Sequence, residues 1–307
     1  MVDIDDCVVG IQSNNRDVFI KDGTRVIACG GANMVERVWM PDSVEYISTA
    51  AFNWMNNLKY VRLSKNVKAI YGDPFGFCSR VYSINLPDGI SYIHPSAFGG
   101  LQDTKYMKLG AVENSLRNEP HGFGLNIPGL EVVSLPYSYN ATPFLADPYN
   151  TPDKIIISTT GDMATNFLQG IPDTTKVYCY VDESAGWPEG WNQDCTTYYK
   201  DEWHLATFYA DDIIVTMEPL TLGDVVQTPA DSFVTDFLPL GSQFLGWDIN
   251  GDGKVNNKDA SRLFQYLSGW NVEVDMSRLD INGDGKVNNK DASRLFQYLS
   301  GWDVEIR

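Results

Sequence analysis

Two stretches near the C-terminus place carboxylate and amide oxygens at intervals that suit a hard metal ion. The run DINGDGKVNNKDASRLFQYLSGW stands at 248–270 and again, unchanged, at 280–302. Each copy opens with D-x-N-x-D-G-x-x-N-x-x-D, which puts side-chain oxygens at loop positions 1, 3, 5, 9 and 12 and a glycine at position 6, where the backbone turns sharply. Such ligands in a flexible loop select calcium over transition metals and over magnesium. The sequence therefore predicts two Ca²⁺ ions.

The predicted ligands of the two ions are equivalent residues of the two copies. They are Asp248, Asn250, Asp252, Lys254 through its backbone carbonyl, Asn256 and Asp259 in the first loop, and Asp280, Asn282, Asp284, Lys286, Asn288 and Asp291 in the second. Asp, Asn and Gly are also ordinary turn residues, which is the competing interpretation. Two perfect copies favour the metal site over that interpretation.

A helix is predicted to leave each loop. Asn256 and Asn288 would cap these helices, and Asp259 and Asp291 follow three residues later, close to a capping box. Apolar residues then recur at helical spacing. They are Ala260, Leu263, Phe264 and Leu267 in the first copy and Ala292, Leu295, Phe296 and Leu299 in the second. Ahead of the first loop, the segment 239–246 contains one proline and two glycines, so the entering helix of an EF-hand sensor is not expected there.

A loop followed by an exit helix, present twice, resembles a type I dockerin over about residues 247–307. The resemblance implies an all-α domain of paired EF-hand-like units, related by a pseudo-two-fold axis, that docks to a cohesin module of a scaffoldin in a cellulosome. It places contacts on the residues before the last ligand of each loop, and helical position adds others. The candidate contacts are Asn257, Lys258, Arg262, Gln265, Asn289, Lys290, Arg294 and Gln297. A solvated helix face is the alternative for each of them.

A looser 23-residue repeat fills the first half of the chain, where apolar residues fall into columns. The columns are Val38, Val61, Ile84 and Met107; Met40, Leu63, Leu86 and Leu109; Ile47, Ile70 and Ile93; and Phe52, Phe75 and Phe98. This period predicts a mixed α/β leucine-rich solenoid, in which each turn buries its apolar face by stacking on its neighbours. Strand-like segments continue at 133–135, 155–157 and 177–179.

The amino-acid sequence of these turns resembles the BspA-like class of leucine-rich repeats. The phrases MPDSVEYISTAAF at 40–52 and LPDGISYIHPSAF at 86–98 carry the likeness, and the copy between them departs from it at Ser64 and Pro74. The predicted solenoid covers 26–182, after a cap or linker at 1–25. Exposed residues of its strand face would bind a protein or glycan. The candidates are Trp39, Lys59, Arg62, Tyr82 and Asn85.

Residues 203–247 alternate apolar and polar positions between glycines and prolines, which predicts a small β domain. The segment resembles the internalin B-type, β-grasp-like repeat. Gly223, Val226 and Pro229 match the centre of that repeat, and the FLGW ending at 244–247 matches its close. The predicted boundaries are therefore 183–247 for the end of the solenoid plus this module, and 248–307 for the dockerin.

Composition excludes several classes of function. The formal charge of −17 argues against nucleic-acid binding, because phosphate backbones are bound by Lys and Arg clusters. No stretch reaches the ~20 apolar residues of a membrane span. The first ten residues carry three aspartates instead of a basic start and an apolar run, so we expect the sequence to begin after a cleaved signal or to be a piece of a larger secreted protein. Five cysteines without a CxxC pair argue against zinc and leave one or two disulfides open.

These features predict a non-catalytic, extracellular, cellulosome-associated or cell-surface protein. Its three histidines lie in no HExxH motif, and GxSxG is absent. Two carboxylates could still form a hydrolase site without a local motif, so an enzyme subunit of polysaccharide catabolism stays an alternative. An adhesin whose C-terminal module is only stabilised by calcium is another alternative. A cytoplasmic calcium sensor is disfavoured by the absent entering helix.

Overall fold

The computed structural model divides the chain into two compact units, Met1–Trp203 with Asp211–Ile214, and His204–Ala210 with Val215–Arg307. The structure describes residues 2–4, 7–10, 15–28, 30–110, 127–135, 152–157, 171–180, 195–221, 223–224, 227, 229–240, 257–268, 274, 279–299 and 304.

The first unit is a β-solenoid built from short strands that stack turn upon turn. Its strands are β1 (Val2–Ile4), β2 (Cys7–Gly10), β3 (Asp17–Phe19), β4 (Val26–Ile27), β5 (Arg37–Trp39), β6 (Tyr46–Ile47), β7 (Tyr60–Arg62), β8 (Ala69–Ile70), β9 (Ser83–Asn85), β10 (Tyr92–Ile93), β11 (Tyr106–Lys108), β12 (Val132–Leu135), β13 (Lys154–Ile157), β14 (Lys176–Cys179) and β15 (Thr196–Tyr198). Stacked strands are present before residue 26 and after residue 182. No α-helix lies among the described residues of the solenoid, so only the strands of the expected mixed α/β turn are observed there.

Three sheets line the solenoid. One has the order β1-β2-β4-β6-β8-β10, the second β3-β5-β7 and the third β9-β11-β12-β13-β14-β15. Neighbouring turns pair in parallel with no shift in register, as Val38 with Val61 and Met107 with Val133 show. The first pair, β1 with β2, is antiparallel. β7 and β9 come from consecutive turns but belong to different sheets, so the strand face is interrupted between them.

The predicted apolar columns form the core, which confirms the repeat. Every residue of the four columns is at most 5% exposed and belongs to one continuous hydrophobic cluster. Where the middle copy departs from the pattern, Ser64 is fully buried and its hydroxyl donates to the carbonyl oxygen of Val44 at 2.6 Å. A buried hydroxyl needs such a partner, so the substitution is accommodated by a hydrogen bond between turns.

Charged side chains of alternating sign connect the turns at the surface. Glu36 lies between Arg16 and Lys59, with N–O distances of 3.4 and 3.7 Å, and Lys68 contacts Glu45 at 2.7 Å. Alternation places opposite charges next to each other across the stack, where like charges would repel. These exposed pairs support the register of the turns more than their stability.

Most of a hairpin and the helices after it belong to the second unit, whereas the turn of the hairpin at Asp211–Ile214 belongs to the first. The hairpin strands are β16 (Trp203–Ala210) and β17 (Ile213–Thr221), and the helices are α1 (Asp231–Thr235), α2 (Asn257–Leu267) and α3 (Asn289–Leu299). Helix α1 lies where a small β domain was expected. Val234 in the helix and Phe237 just after it explain the difference, because they are spaced three apart and are 1% and 0% exposed, which suits a helical turn.

No helix among the described residues is both long enough and apolar enough to cross a bilayer.

Candidate calcium and docking site

The second acidic loop, 280–291, is held by hydrogen bonds from its own backbone. The carboxylate of Asp280 accepts from the amides of Asp284 and Gly285 at 3.1 and 2.8 Å, and Asp284 accepts from Lys286 at 3.0 Å. Gly285 has a φ of 77°, the left-handed conformation that glycine adopts without strain. The glycine at loop position 6 therefore makes the sharp turn that its place in the motif predicts.

Asp291 joins the loop to helix α3. Its two carboxylate oxygens accept from the amides of Asn282 and Asn288 at 3.1 and 2.7 Å, and the Asn288 side chain accepts from the amide of Lys290 at 2.9 Å. This reciprocal arrangement is the predicted capping box, which is confirmed for this helix. Asp291 is fully buried, and burial together with the charges of Asp280 and Asp284 raises its pKa.

The donors of this loop suit a hard cation. The Nδ2 atom of Asn282 is buried without a hydrogen-bond partner. Rotating the side-chain amide by 180° would put its oxygen at this position, where it suits a cation. The backbone amide of Asp284 donates to the Asn282 side-chain oxygen at 3.0 Å and also to Asp280. After that rotation of Asn282, the Asp284 amide would still donate to Asp280. Among the described residues, however, no three His, Cys, Asp or Glu side chains are close enough together to hold a metal ion.

The first loop falls mostly outside the described residues. Asp248, Asn250, Asp252, Lys254 and Asn256 lie there, so nothing is said of their arrangement. Its last predicted ligand, Asp259, stands in the first turn of α2 and is fully buried, as its counterpart Asp291 is in α3. A fully buried carboxylate at the same position of both helices fits one structural unit used twice.

The two exit helices pack on each other through a small apolar core. Its buried members are Ala260, Leu263, Leu279, Ile281, Ala292 and Leu295. Leu267 and Leu299 lie at its edge, as the helical spacing predicted. Phe264 and Phe296 do not enter this core, because they are 38% and 43% exposed and contact each other with ring centroids 5.9 Å apart.

Four of the candidate contact residues of the second copy meet on one surface. Asn289, Lys290, Arg294 and Gln297 line an open depression of about 470 Å³ together with Asn282 and Ser293. Lys290 is exposed and lies 4.0 Å from Asp284, too far for a firm ion pair. In the first copy Lys258 is exposed and Arg262 and Gln265 are half-buried, while the side chain of Asn257 lies outside the described part of the chain.

The strand face of the solenoid differs from expectation. Trp39 is 5% exposed because Phe19 stacks on it, with ring centroids 4.9 Å apart, and Lys59, Arg62, Tyr82 and Asn85 are half-buried. The prediction that these side chains are exposed is therefore wrong for Trp39, and the other four are only partly exposed.

The turn of the β16–β17 hairpin contacts this face at the break between β7 and β9. Asp211 and Asp212 both have positive φ, which defines a type I′ turn. Ser83 donates to the carbonyl oxygen of Ile214 at 2.7 Å, and Asn85 donates to that of Asp212 at 2.8 Å. This role of the turn was not predicted from the sequence, although aspartate tolerates the left-handed conformation that such a turn needs.

The described cysteines and His94 of the solenoid have ordinary structural surroundings. Cys7 is half-buried, and Cys78, Cys179 and Cys195 are buried. Burial raises the pKa of Cys78 to about 12. His94 accepts a hydrogen bond from the amide of Ser96 in a turn, as expected of a loop residue.

Comparison with known families agrees with the two repeats. The family description "Dockerin type I domain" matches residues 247–300, and "BspA type Leucine rich repeat region" matches residues 30–119 in six copies. No curated protein and no solved structure matches the chain.

Residues that match a dockerin domain thus follow residues that match a leucine-rich solenoid. The chain carries a type I dockerin domain and BspA-type leucine-rich repeats, both of them non-catalytic modules. The dockerin domain implies a cohesin partner and an extracellular, cellulosome-type setting. The internalin B-type resemblance of residues 203–247 has no counterpart in these matches and stays a prediction.

Proposed function

We propose that this protein is a secreted, non-catalytic component that docks to a scaffoldin cohesin through its C-terminal domain and presents the solenoid for recognition of a protein or glycan. The observation that carries the docking is the shared surface of Asn289, Lys290, Arg294 and Gln297 on one face of α3. Two cationic and two amide side chains on a rigid helix suit an acidic or hydrogen-bonding partner surface. Their counterparts on α2 would offer the same surface a second time.

Each loop would hold one Ca²⁺ ion through the ligands predicted for it. In the second loop these are Asp280, Asn282, Asp284, the carbonyl of Lys286, Asn288 and Asp291, and the first loop repeats them from Asp248 to Asp259. The ions would neutralise carboxylates that otherwise repel one another and so set the direction in which α2 and α3 leave the loops. Calcium therefore has a structural role here, and the helix faces make the contact with cohesin.

Calorimetric titration of the full chain against a panel of cohesins, first with calcium and then with EDTA, tests this proposal. Binding that EDTA abolishes is the expected result. Calcium uptake without binding to any cohesin would instead favour the adhesin alternative, in which calcium only stabilises the fold of the C-terminal module. Release of reducing sugar from polysaccharide substrates would favour the enzyme alternative.

Charge reversal on the helices locates the docking surface. Lys290→Glu with Arg294→Glu should weaken binding only slightly if α2 can substitute for α3, whereas adding Lys258→Glu and Arg262→Glu should abolish it. Arg80→Glu, which changes an exposed cation of the solenoid by the same charge, is the matched control. Unchanged affinity of the fourfold variant would place the cohesin contact elsewhere.

A further inference from the structure

Two exposed aromatic rings stand next to each other on consecutive turns of the solenoid. Trp54 and Phe77 are each 57% exposed, and their rings stack with centroids 4.1 Å apart and planes 14° from parallel. They occupy equivalent places 23 residues apart, and the amide of Trp54 donates to the carbonyl oxygen of Gly76 at 3.0 Å. The backbone of the stacked turns therefore holds the rings at a fixed separation.

Both residues adopt a backbone conformation that favours glycine. Trp54 has a φ of 66° and Phe77 a φ of 62°, and a bulky residue with positive φ is a genuine outlier. The equivalent residues of the flanking turns, one repeat before and one after, are Gly31 and Gly100. More than half of each side chain is exposed, and the flanking turns have glycine at this place, so the fold does not require an aromatic residue here. Strain of this kind in exposed side chains points to a binding role.

Because glycine has no side chain, neither ring has a stacked neighbour at the equivalent position of the next turn. A Cβ on Gly31 would meet nothing within 4 Å, whereas one on Gly100 would lie 2.1 Å from the carbonyl oxygen of Phe75, so no side chain fits there. Neither glycine can cover the ring beside it. The stack thus offers a flat apolar surface on each side.

The exposed area of the pair decides which kind of ligand it suits. Two aromatic side chains that are each 57% exposed present on the order of 250 Å². A stable protein interface, including one with a second copy of this chain, needs about 800 Å² from each partner. A sugar ring, whose C–H face is about as large as an aromatic ring, is covered by a surface of this size.

Charge favours a neutral sugar over an acidic one. A Cβ on Gly76, the residue before Phe77, would lie 2.7 Å from Asp73 Oδ2 and 3.0 Å from Asn53 Nδ2, so a carboxylate and an amide lie next to the residue that precedes Phe77. The chain as a whole carries a charge of −17. Carboxylates accept hydrogen bonds from sugar hydroxyls and repel the carboxylates of uronic acids.

We propose that Trp54 and Phe77 bind the C–H faces of neutral sugar rings in a polysaccharide. The inference rests on the proposed role of the solenoid in recognition and names its ligand class and its site. It does not depend on the docking of the C-terminal domain.

Affinity electrophoresis of the full chain in xyloglucan, mixed-linkage β-glucan, glucomannan and arabinoxylan, with polygalacturonate as the anionic counterpart, tests the proposal. The decisive variant is Trp54→Gly with Phe77→Gly, since glycine relieves the positive φ and preserves the turns. Phe19→Ala, which removes an aromatic ring that is 60% exposed elsewhere on the solenoid, is the matched control. A cohesin titration in parallel shows whether the C-terminal domain is intact.

We expect retardation by at least one neutral polysaccharide and none by polygalacturonate. Each lost ring contact should weaken binding up to about tenfold, so the double variant should bind roughly 10- to 100-fold less tightly while Phe19→Ala binds like the wild type. Equal binding by the double variant, or no retardation by any neutral polysaccharide, would overturn the proposal. Failure of the wild type to bind any cohesin would count against the docking function and leave this site standing.

Discussion

Arg62 and Asp212 lie 150 residues apart in the chain and form an ion pair with an N–O distance of 3.1 Å. Arg62 ends strand β7 of the solenoid, and Asp212 belongs to the turn of the β16–β17 hairpin. The same guanidinium contacts Asp211 and Asp42 at 3.4 and 3.2 Å and donates to the carbonyl oxygen of Met40 at 2.6 Å. Burial alone would lower the pKa of Arg62, but the three surrounding carboxylates raise it above its usual value.

Replacing Arg62 with Ala should destabilise the first unit by about 1–3 kcal/mol, because three acidic groups would lose their common partner. The matched control is Arg16→Ala, since Arg16 is 64% exposed and its pair with Glu36 contributes at most about 1 kcal/mol. Urea unfolding followed by circular dichroism measures both. Equal losses in the two variants would mean that the contact with the hairpin turn does not stabilise the unit.

The pH dependence of stability should show the contribution of Asp42. Burial would raise the pKa of this carboxyl, but the amide of Lys65 and the charge of Arg62 lower it below its usual 3.8. A lowered folded-state pKa adds stability above pH 3.8, and that stability is lost as the pH falls through the folded value. Because the side chain is 46% exposed, solvent screening limits the effect to about 1 kcal/mol or less.

Asp42→Asn should therefore be less stable than the wild type at pH 7, and the difference should close below about pH 3.8. Urea unfolding between pH 2.5 and 7 measures it. In an Arg62→Gln background the same substitution should cost less at neutral pH. A difference that stays constant down to pH 2.5 would contradict the assignment.

The positive φ of Trp54 leads to a prediction about stability that is independent of any ligand. Trp54→Gly and Trp54→Ala both remove the ring, but only glycine adopts the φ of 66° without strain. We expect the Gly variant to be more stable than the Ala variant by about 1 kcal/mol in urea unfolding. At Met34, which is also exposed but has no positive φ, the Gly variant should be the less stable one.

Calcium chelation should affect the C-terminal domain and spare the solenoid. Without the ions the carboxylates of the loops repel one another, so EDTA should lower the helical circular dichroism and loosen the packing of α2 on α3. The solenoid has its own hydrophobic core and should unfold at the same temperature with and without calcium. The double variant Asp280→Ala, Asp284→Ala should take up half as much calcium as the wild type in calorimetry. Simultaneous unfolding of both parts in EDTA would refute the division near residue 247.

Residues with strict periodicity were predicted correctly. The apolar columns of the solenoid needed only a 23-residue repeat, because an apolar side chain that recurs once per turn can be buried only by stacking. The capping box at Asn288 and Asp291 followed from residue type and spacing, since both partners lie within one helical turn. Local geometry connects sequence to structure at these positions.

The strand face could not be predicted in the same way. Alternation along a strand shows which side chains point outward, but it does not show whether a distant segment covers them. Arg62 and Asn85 point outward and are half-buried because the turn at 211–212 contacts them. Phe264 and Phe296 share the helical spacing of the core residues of their helices, yet they remain partly exposed.

The sequence by itself determined the two repeats, the kinds of ligand in the acidic loops and the families to which the two modules belong, because each follows from residues close together in the chain. Only the tertiary structure decided which polar groups meet across long separations, as Arg62 and Asp212 do. It also decided that Trp54 and Phe77 stack in an exposed, strained pair. These relationships depend on how turns and a hairpin are placed in space, which spacing along one segment does not encode.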